Sequence, residues 1–195
     1  MPNEISKEPV AKGKAGIKKA FLKLYSEMPL NKIRVHDITE LARVSRSTFY
    51  SYFEDIYDLY NQCETEMIRS IEGDLTDIIL STVVKDEKKY ISLIKENLQR
   101  SRSLIDDALI FFHGSERGHF MDSWLESGSK AFEKTMDFGR TLPEAKRKMI
   151  LRFFVHGQMI LYADWFEHKG TIPDEYIAET LAQMLFQGAF LQKPM

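Results

Sequence analysis

The sequence predicts an all-α chain of about nine helices. Three observations predict it. Apolar residues recur at three- and four-residue spacing nearly throughout, Asp, Ser and Thr stand ahead of several of these stretches as helix caps, and no stretch alternates with the period of a half-buried strand. No internal repeat and no low-complexity run interrupts the pattern.

In the first helix Ile17, Ala20, Phe21, Leu24, Tyr25 and Met28 fall on one face, and Pro29 ends it by turning Met28 away from helical geometry. "VHDITELA" and "RSTFYSYF" make two short helices a few residues apart. Asp55 caps a long fourth helix, with Asp58 at its third position, running along Ile56, Leu59, Tyr60, Cys63 and Met67 to about Val83. Three helices follow near 86–99, 102–112 and 119–138, with "HGSERGH" (113–119) as a loop. "TLPE" at 141–144 matches a capping box and opens a helix to His168, striped by Ile150, Phe153, Phe154, Gly157, Ile160, Leu161 and Trp165. "TIPD" at 171–174 is its close variant. It opens the last helix, with Ile177, Leu181, Met184, Leu185 and Gly188 on one side.

At 195 residues and 44% hydrophobic content the chain can bury a core in one domain or two small ones. Its formal charge of −2 argues against coating nucleic acid along the whole length. Residues 1–53, however, hold ten Lys and Arg against five acids, a net of +5, which leaves −7 for the remaining 142. A basic head on an acidic body follows. The single cysteine, Cys63, excludes an intrachain disulfide and fits a reducing compartment. No apolar run approaches the roughly 18 residues of a membrane span, and "MPNEISKEPVAKGK" has no apolar signal core. The expectation is a soluble, cytoplasmic protein without a membrane partner.

The chemistry concentrates in "ITELARVSRSTFYSYF", Ile38 to Phe53. Ile38, Leu41 and Ala42 line one face of the second helix, Val44 sits in a turn, and Phe49 and Phe53 anchor the third: two helices packed across a tight turn. Ser45 caps the third helix, whose outward residues are Arg46, Ser47, Thr48, Tyr50 and Tyr52. A recognition helix offers its N-terminal residues to the major groove. Arg46 suits guanine or phosphate, Ser47 and Thr48 permit close approach, and the tyrosine hydroxyls reach phosphates. Thr39 on the second helix joins this DNA-facing set. Lys18, Lys19, Lys23, Lys12 and Lys14 supply sequence-independent attraction. The competing reading is a helical hairpin with a polar surface, in which Tyr50 and Tyr52 merely pack.

These residues resemble the tetracycline-repressor (TetR) family of bacterial regulators. The likeness is close over 15–60, through "IKKAFLKLYSEMPLNKI" and "VHDITELARVSRSTFYSYFEDIYDL": an aspartate–isoleucine in helix two, a V-S turn, T-F-Y-x-Y-F in helix three and a Leu one turn into helix four. Over 61–195 it rests on helix number and on "FFVHGQMILYADWFEHKGTIPDEYIAETLAQML". The chain departs from the family at Arg34, where Ser or Thr is common, at Arg43, where Gly is, and at Ile56, where Lys is. Arg34 and Arg43 then supply the phosphate-contacting charge, and Arg43 is expected near a left-handed backbone position.

The resemblance implies a helix-turn-helix domain over 1–54 and an effector-binding and dimerisation domain over 55–195. It also implies a homodimer that binds a palindromic double-stranded operator, its two reading helices about 34–36 Å apart. Phe154, Gly157, Leu161, Ile177, Leu181 and Leu185 are the expected dimer contacts, with Gly157 and Gly188 permitting close backbone approach. Phe111, Phe112, Phe120, Met121 and Trp124 are either core or the wall of an apolar pocket, and His156 is either an interior histidine or a ligand contact. If a small apolar or amphipathic effector binds, Phe112, Trp124, His156 and Met159 are expected to hold it, and the helix from Asp55 to transmit it. The resulting expectation is a repressor released by a small molecule. A DNA-tethered protein-interaction module without effector and a helical ligand-binding protein without DNA activity are the alternatives. His113, Glu116 and His119 could form a metal trio, but a solvated loop is the simpler reading. No nucleophile elbow, phosphate loop, zinc motif or paired carboxylates occur, so neither enzyme activity nor a cofactor is expected.

Overall fold

Helices account for every regular element among the described residues, which are 7–73, 78, 86–135 and 143–186 of a computed structural model. Among the described residues nine α-helices and two 3-10 turns have defined bounds: α1 Lys7–Glu27, a 3-10 turn Leu30–Lys32, α2 Val35–Ala42, α3 Arg46–Tyr50, α4 Ile56–Glu72, α5 Glu87–Ser101, a 3-10 turn Arg102–Leu104, α6 Ile105–His113, α7 Arg117–Thr135, α8 Glu144–Glu167 and α9 Asp174–Phe186. The chain divides into two compact units. One comprises Met1–Met67 with Ile110–Arg117, the other Ile68–Leu109 with Gly118–Met195. This division falls inside α4.

In the N-terminal unit α1 packs on α2 and α3, and α2 on α3. Ile17, Phe21 and Tyr25 of α1 are buried with Ile38, Phe49, Phe53 and Leu59. Tyr25 stacks on Phe21 at 5.6 Å and meets the edges of Tyr60 and Phe111, so the core is largely aromatic. Such pairs add about 0.5–1.5 kcal/mol each beyond the area they bury. Gly114, just past α6, lies so close to Tyr25 that a Cβ would stand 2.4 Å from its hydroxyl. That hydroxyl accepts from the Glu116 amide at 3.0 Å. The expected 113–119 loop is thus only a three-residue turn.

Helix α1 starts at Lys7, well before the expected first helix. Pro9 is tolerated because it falls in the first turn, where its missing N–H has no intrahelical partner anyway. Helix α4 ends at Glu72, short of the expected Val83. Gly73 takes the left-handed conformation (φ 52°) that terminates helices. Residues 74–77 and 79–83 of that expectation lie outside the described residues.

In the C-terminal unit α9 packs chiefly on α5 and also on α8. Asp86 caps α5 by accepting from the Lys89 amide at 3.0 Å. Asn97 of α5 donates to the carbonyls of Ile71 and Glu72, at 3.2 and 3.1 Å, two of the acceptors that the end of α4 leaves open. Helix α8 closes in a Schellman motif: the Gly170 amide reaches the Trp165 carbonyl at 2.9 Å, and the Lys169 amide reaches that of Phe166 at 2.8 Å.

The two expected capping boxes differ from expectation. Thr141 lies outside the described residues, and Pro143 precedes α8 without a side-chain cap. Thr171 does not cap α9 but donates back to the His168 carbonyl at 2.8 Å. Asp174 serves another purpose. It accepts from Arg102 at 2.6 Å and from the buried Trp165 indole at 3.2 Å, while Arg102 also holds the Gly170 carbonyl at 2.9 Å and lies 5.2 Å over the Trp165 ring. A carboxylate offered two strong donors is drawn to them in preference to a backbone amide.

Candidate functional site

The surface of α3 is built by the turn before it. Arg43 adopts φ 54°, ψ 45°, and around it the Val44 amide bonds the Thr39 carbonyl at 3.0 Å while the Arg43 amide bonds that of Glu40 at 3.2 Å. This left-handed closure ends α2 within one residue and redirects the chain into α3. At the start of α2 the Asp37 carboxylate accepts from the Arg34 amide at 3.2 Å. The Arg34 guanidinium, which can only donate, is left exposed at the surface. Ser45 caps α3, its Oγ accepting from the Thr48 amide at 3.1 Å. The same Oγ lies 2.7 Å from the Ser47 hydroxyl and 2.8 Å from that of Thr48, so the three hydroxyls form one local cluster.

Beneath, Phe49 and Phe53 are buried in contact with each other. Above, Arg43, Ser45, Arg46 and Ser47 are exposed, and Tyr50 presents 58% of its surface to solvent. Thr48 and Tyr52 are half-buried. Lys14 lies 5.5 Å over the Phe53 ring, and Lys19 and Lys23 are exposed on α1. The side chain of Lys12 lies outside the described residues.

Three residues are placed otherwise than expected. Thr39 is 5% exposed, with its hydroxyl donating to the His36 carbonyl at 3.0 Å, so it is part of the packing of α2. Lys18 is held by Glu66 of α4 in an ion pair and keeps 15% of its side chain exposed. Leu41, expected inside, is 42% exposed; the 100° step per residue carries it to the edge of the face that Ile38 and Ala42 define.

In the C-terminal unit a cavity of about 50 Å³ opens between α4, α5, α7 and α8. Trp124 and Met159 line it, as expected, beside Ile94 and Val155. Phe112 and His156 do not. Phe112 is fully buried in the N-terminal unit, and His156 is exposed with Nδ1 donating to the Arg152 carbonyl at 2.6 Å, because α8 turns that residue away from its buried stripe of Val155, Met159 and Tyr162.

The polar wall of the cavity was not anticipated: it is Glu72, Asn97 and Gln158. Glu72 accepts from Ser127 at 3.0 Å through one carboxylate oxygen, and burial pushes its carboxyl up to about 6 against that hydrogen bond. The legible signal was an acid four residues after Ile68, next to Ile71, on the buried side of α4.

Two further buried groups are held in their neutral forms. Burial drives the Cys63 thiol up to about 12, which leaves it protonated and unreactive. Burial, then the neighbouring Glu64, pushes the Tyr60 hydroxyl far above its ordinary range, and it donates to Glu64 at 2.8 Å. Among the described residues no three His, Cys, Asp or Glu side chains are grouped to hold a metal ion, and no helix is long and apolar enough to cross a membrane.

Two of the expected dimer contacts, Ile177 and Leu181, are buried within the unit, since the inward side of α9 lies against α5. Phe154, Gly157, Leu161 and Leu185 are half-buried, and Gly188 lies outside the described residues. The exposed apolar residues are instead Met149 (73%), Phe153 (75%) and Ile160 (57%) on α8, with Tyr176 and Met184 on α9.

No model of a known family matches the chain, and no curated protein matches it.

Proposed function

We propose that this chain is a sequence-specific DNA-binding transcriptional regulator of the TetR kind, a homodimeric repressor released by a small molecule. One observation carries the reading. The turn at Arg43 and the cap at Ser45 hold a short helix with a wholly apolar underside, and its outer side offers Arg46, Ser47 and Tyr50 to solvent together. A guanidinium, a short hydroxyl and an exposed phenol are the groups that reach base edges and phosphates. Arg34 and Arg43 flank them. The corrections narrow the reading surface to Arg34, Arg43, Ser45, Arg46, Ser47, Thr48, Tyr50 and Tyr52.

The homodimer is supported by α8. Its inner stripe, Val155, Met159, Tyr162 and Phe166, is buried, yet Met149, Phe153 and Ile160 form a second apolar stripe facing solvent. A helix apolar on two sides is matched to two apolar neighbours. Gly157 sits within this outer stripe, and a Cβ there would meet nothing within 4 Å of its own chain. A helix-interior glycine costs about 0.5–1 kcal/mol relative to Ala. Nothing among the described residues requires one here, whereas a second helix crossing at that point would.

Selection of binding sites from random duplex DNA, followed by affinity measurement at several salt concentrations, tests the reading. A palindromic site should emerge whose affinity falls steeply with salt. Arg46→Ala or Tyr50→Ala should then lose about 1–3 kcal/mol for that site with the fold intact. If no sequence is enriched, or if both variants bind as well as the parent, α3 is not the reader.

A further inference from the structure

Two residues that line the cavity of the C-terminal unit each carry a buried acceptor that no donor among the described residues reaches. Asn97 is 4% exposed, and both of its amide hydrogens are directed to carbonyls of α4. That bonding fixes the orientation of the amide, so Oδ1 must be an acceptor, and it is buried without a partner among the described residues. The Glu72 carboxylate uses Oε2 on Ser127, while Oε1 is likewise buried with no partner among the described residues. Both residues line the same cavity. Gln158 and Tyr162 also line it, and Gln158 directs its amide N–H to the Tyr90 hydroxyl at 2.9 Å.

An unpaired buried acceptor costs roughly 1–3 kcal/mol, and more when it belongs to a carboxylate. Two of them at one apolar cavity define what would satisfy it: at least two N–H donors, a positive charge beside Glu72, and an apolar remainder against Trp124 and Met159. Size sets a further limit. By the measure in which one water needs about 10–15 Å³, the cavity of about 50 Å³ admits a group of a few heavy atoms.

We propose that this cavity binds a small protonated primary or secondary amine, its ammonium donating to Glu72 Oε1 and Asn97 Oδ1 and its short alkyl stem lying against Trp124 and Met159. The assignment of such an amine as the effector rests on the repressor reading above; the binding site itself does not. A quaternary ammonium has the charge but no N–H, an alcohol has one donor and no charge, and a carboxylate has the wrong sign. The three control ligands separate these requirements.

The test is calorimetric titration of the full chain, without DNA, with n-butylammonium, tetramethylammonium, 1-butanol and butyrate. Butylammonium should bind about tenfold or more tightly than any of the others, and Glu72→Gln should remove that advantage. Gly128→Ala serves as a second variant that leaves the charge in place. Its Cβ would stand 3.2 Å from Val155 Cγ1 at the cavity wall, so it should weaken the amine by narrowing the space. Circular dichroism and melting of each variant establish that it is folded. Equal binding of butylammonium and 1-butanol, no binding of butylammonium, or full affinity in folded Glu72→Gln would overturn the proposal. Operator affinity measured on the same samples keeps the two readings apart. Amine binding without DNA binding supports the site and removes the repressor reading, and DNA binding without amine binding does the reverse.

Discussion

At Arg43 the backbone has a left-handed conformation that suits glycine, and a long basic side chain occupies it. The left-handed turn was anticipated through the resemblance to the TetR family, in which glycine is common at this place. Arg43→Gly is expected to raise stability by up to about 1 kcal/mol, read as a higher denaturation midpoint. If Arg43 also holds a phosphate, the same variant will bind the selected operator less tightly while being more stable. Glu72 carries the opposite lesson. Its position on α4 was visible, but its burial was not, because that depends on α5 and α7 closing over a helix end whose location the sequence left open. Burial raises its carboxyl from 4.5 to about 6, with the Ser127 hydrogen bond opposing. The folded chain therefore holds that proton more tightly than the unfolded chain. The stability this contributes is fully present below about pH 4.5 and is lost as the pH rises through about 6. Without amine present, Glu72→Gln should raise the melting temperature at pH 7.5 and change it little at pH 4.5. A uniform effect at both pH values would show that Glu72 is not buried as described.

At the scale of elements, helix number and order were readable, and so were ends marked by a single dominant residue: Pro29 after α1, Ser45 before α3, Asp55 before α4. Ends that depend on competition between signals were not. Gly13, Gly16 and Pro9 masked the early start of α1, since each lowers helix propensity without forbidding the helix. Gly73 stopped α4 although apolar spacing continues beyond it. "TIPD" has the letters of a capping motif, yet its aspartate was claimed by Arg102 and Trp165, partners distant in sequence that a local pattern does not contain. That arrangement has a measurable weight. Asp174→Ala would leave the buried indole N–H unpaired and leave Arg102 only the Gly170 carbonyl as acceptor at the turn between α8 and α9. A loss of about 1–3 kcal/mol in denaturant unfolding is expected. The loss should be largely retained at high salt, because the Trp165 bond is shielded from solvent. A loss that disappears in salt would mean that only the half-exposed Arg102 ion pair had mattered.

For the whole molecule, the sequence placed apolar stripes on α8 and α9 but could not divide them between the chain's own core and a partner. Helix α8 is apolar around most of its circumference, so periodicity alone gave it no single inner face. Packing then took Ile177 and Leu181 inward and left Met149, Phe153 and Ile160 outside. The proposed dimer consequently shifts from the expected contacts to that outer stripe. Phe153, 75% exposed, makes the sharpest test because its replacement disturbs little within the protomer. Phe153→Asp would bring two carboxylates toward one another across a two-fold axis and deny the interface its largest apolar side chain. Sedimentation at micromolar concentration should show a dimer for the parent and a monomer of unchanged helicity for the variant. Operator affinity should fall with it, because a monomer reads one half-site at a time. A parent that sediments as a monomer refutes the dimer. A variant that remains dimeric with full operator affinity places the interface on another surface and leaves the outer stripe of α8 without a role in DNA binding.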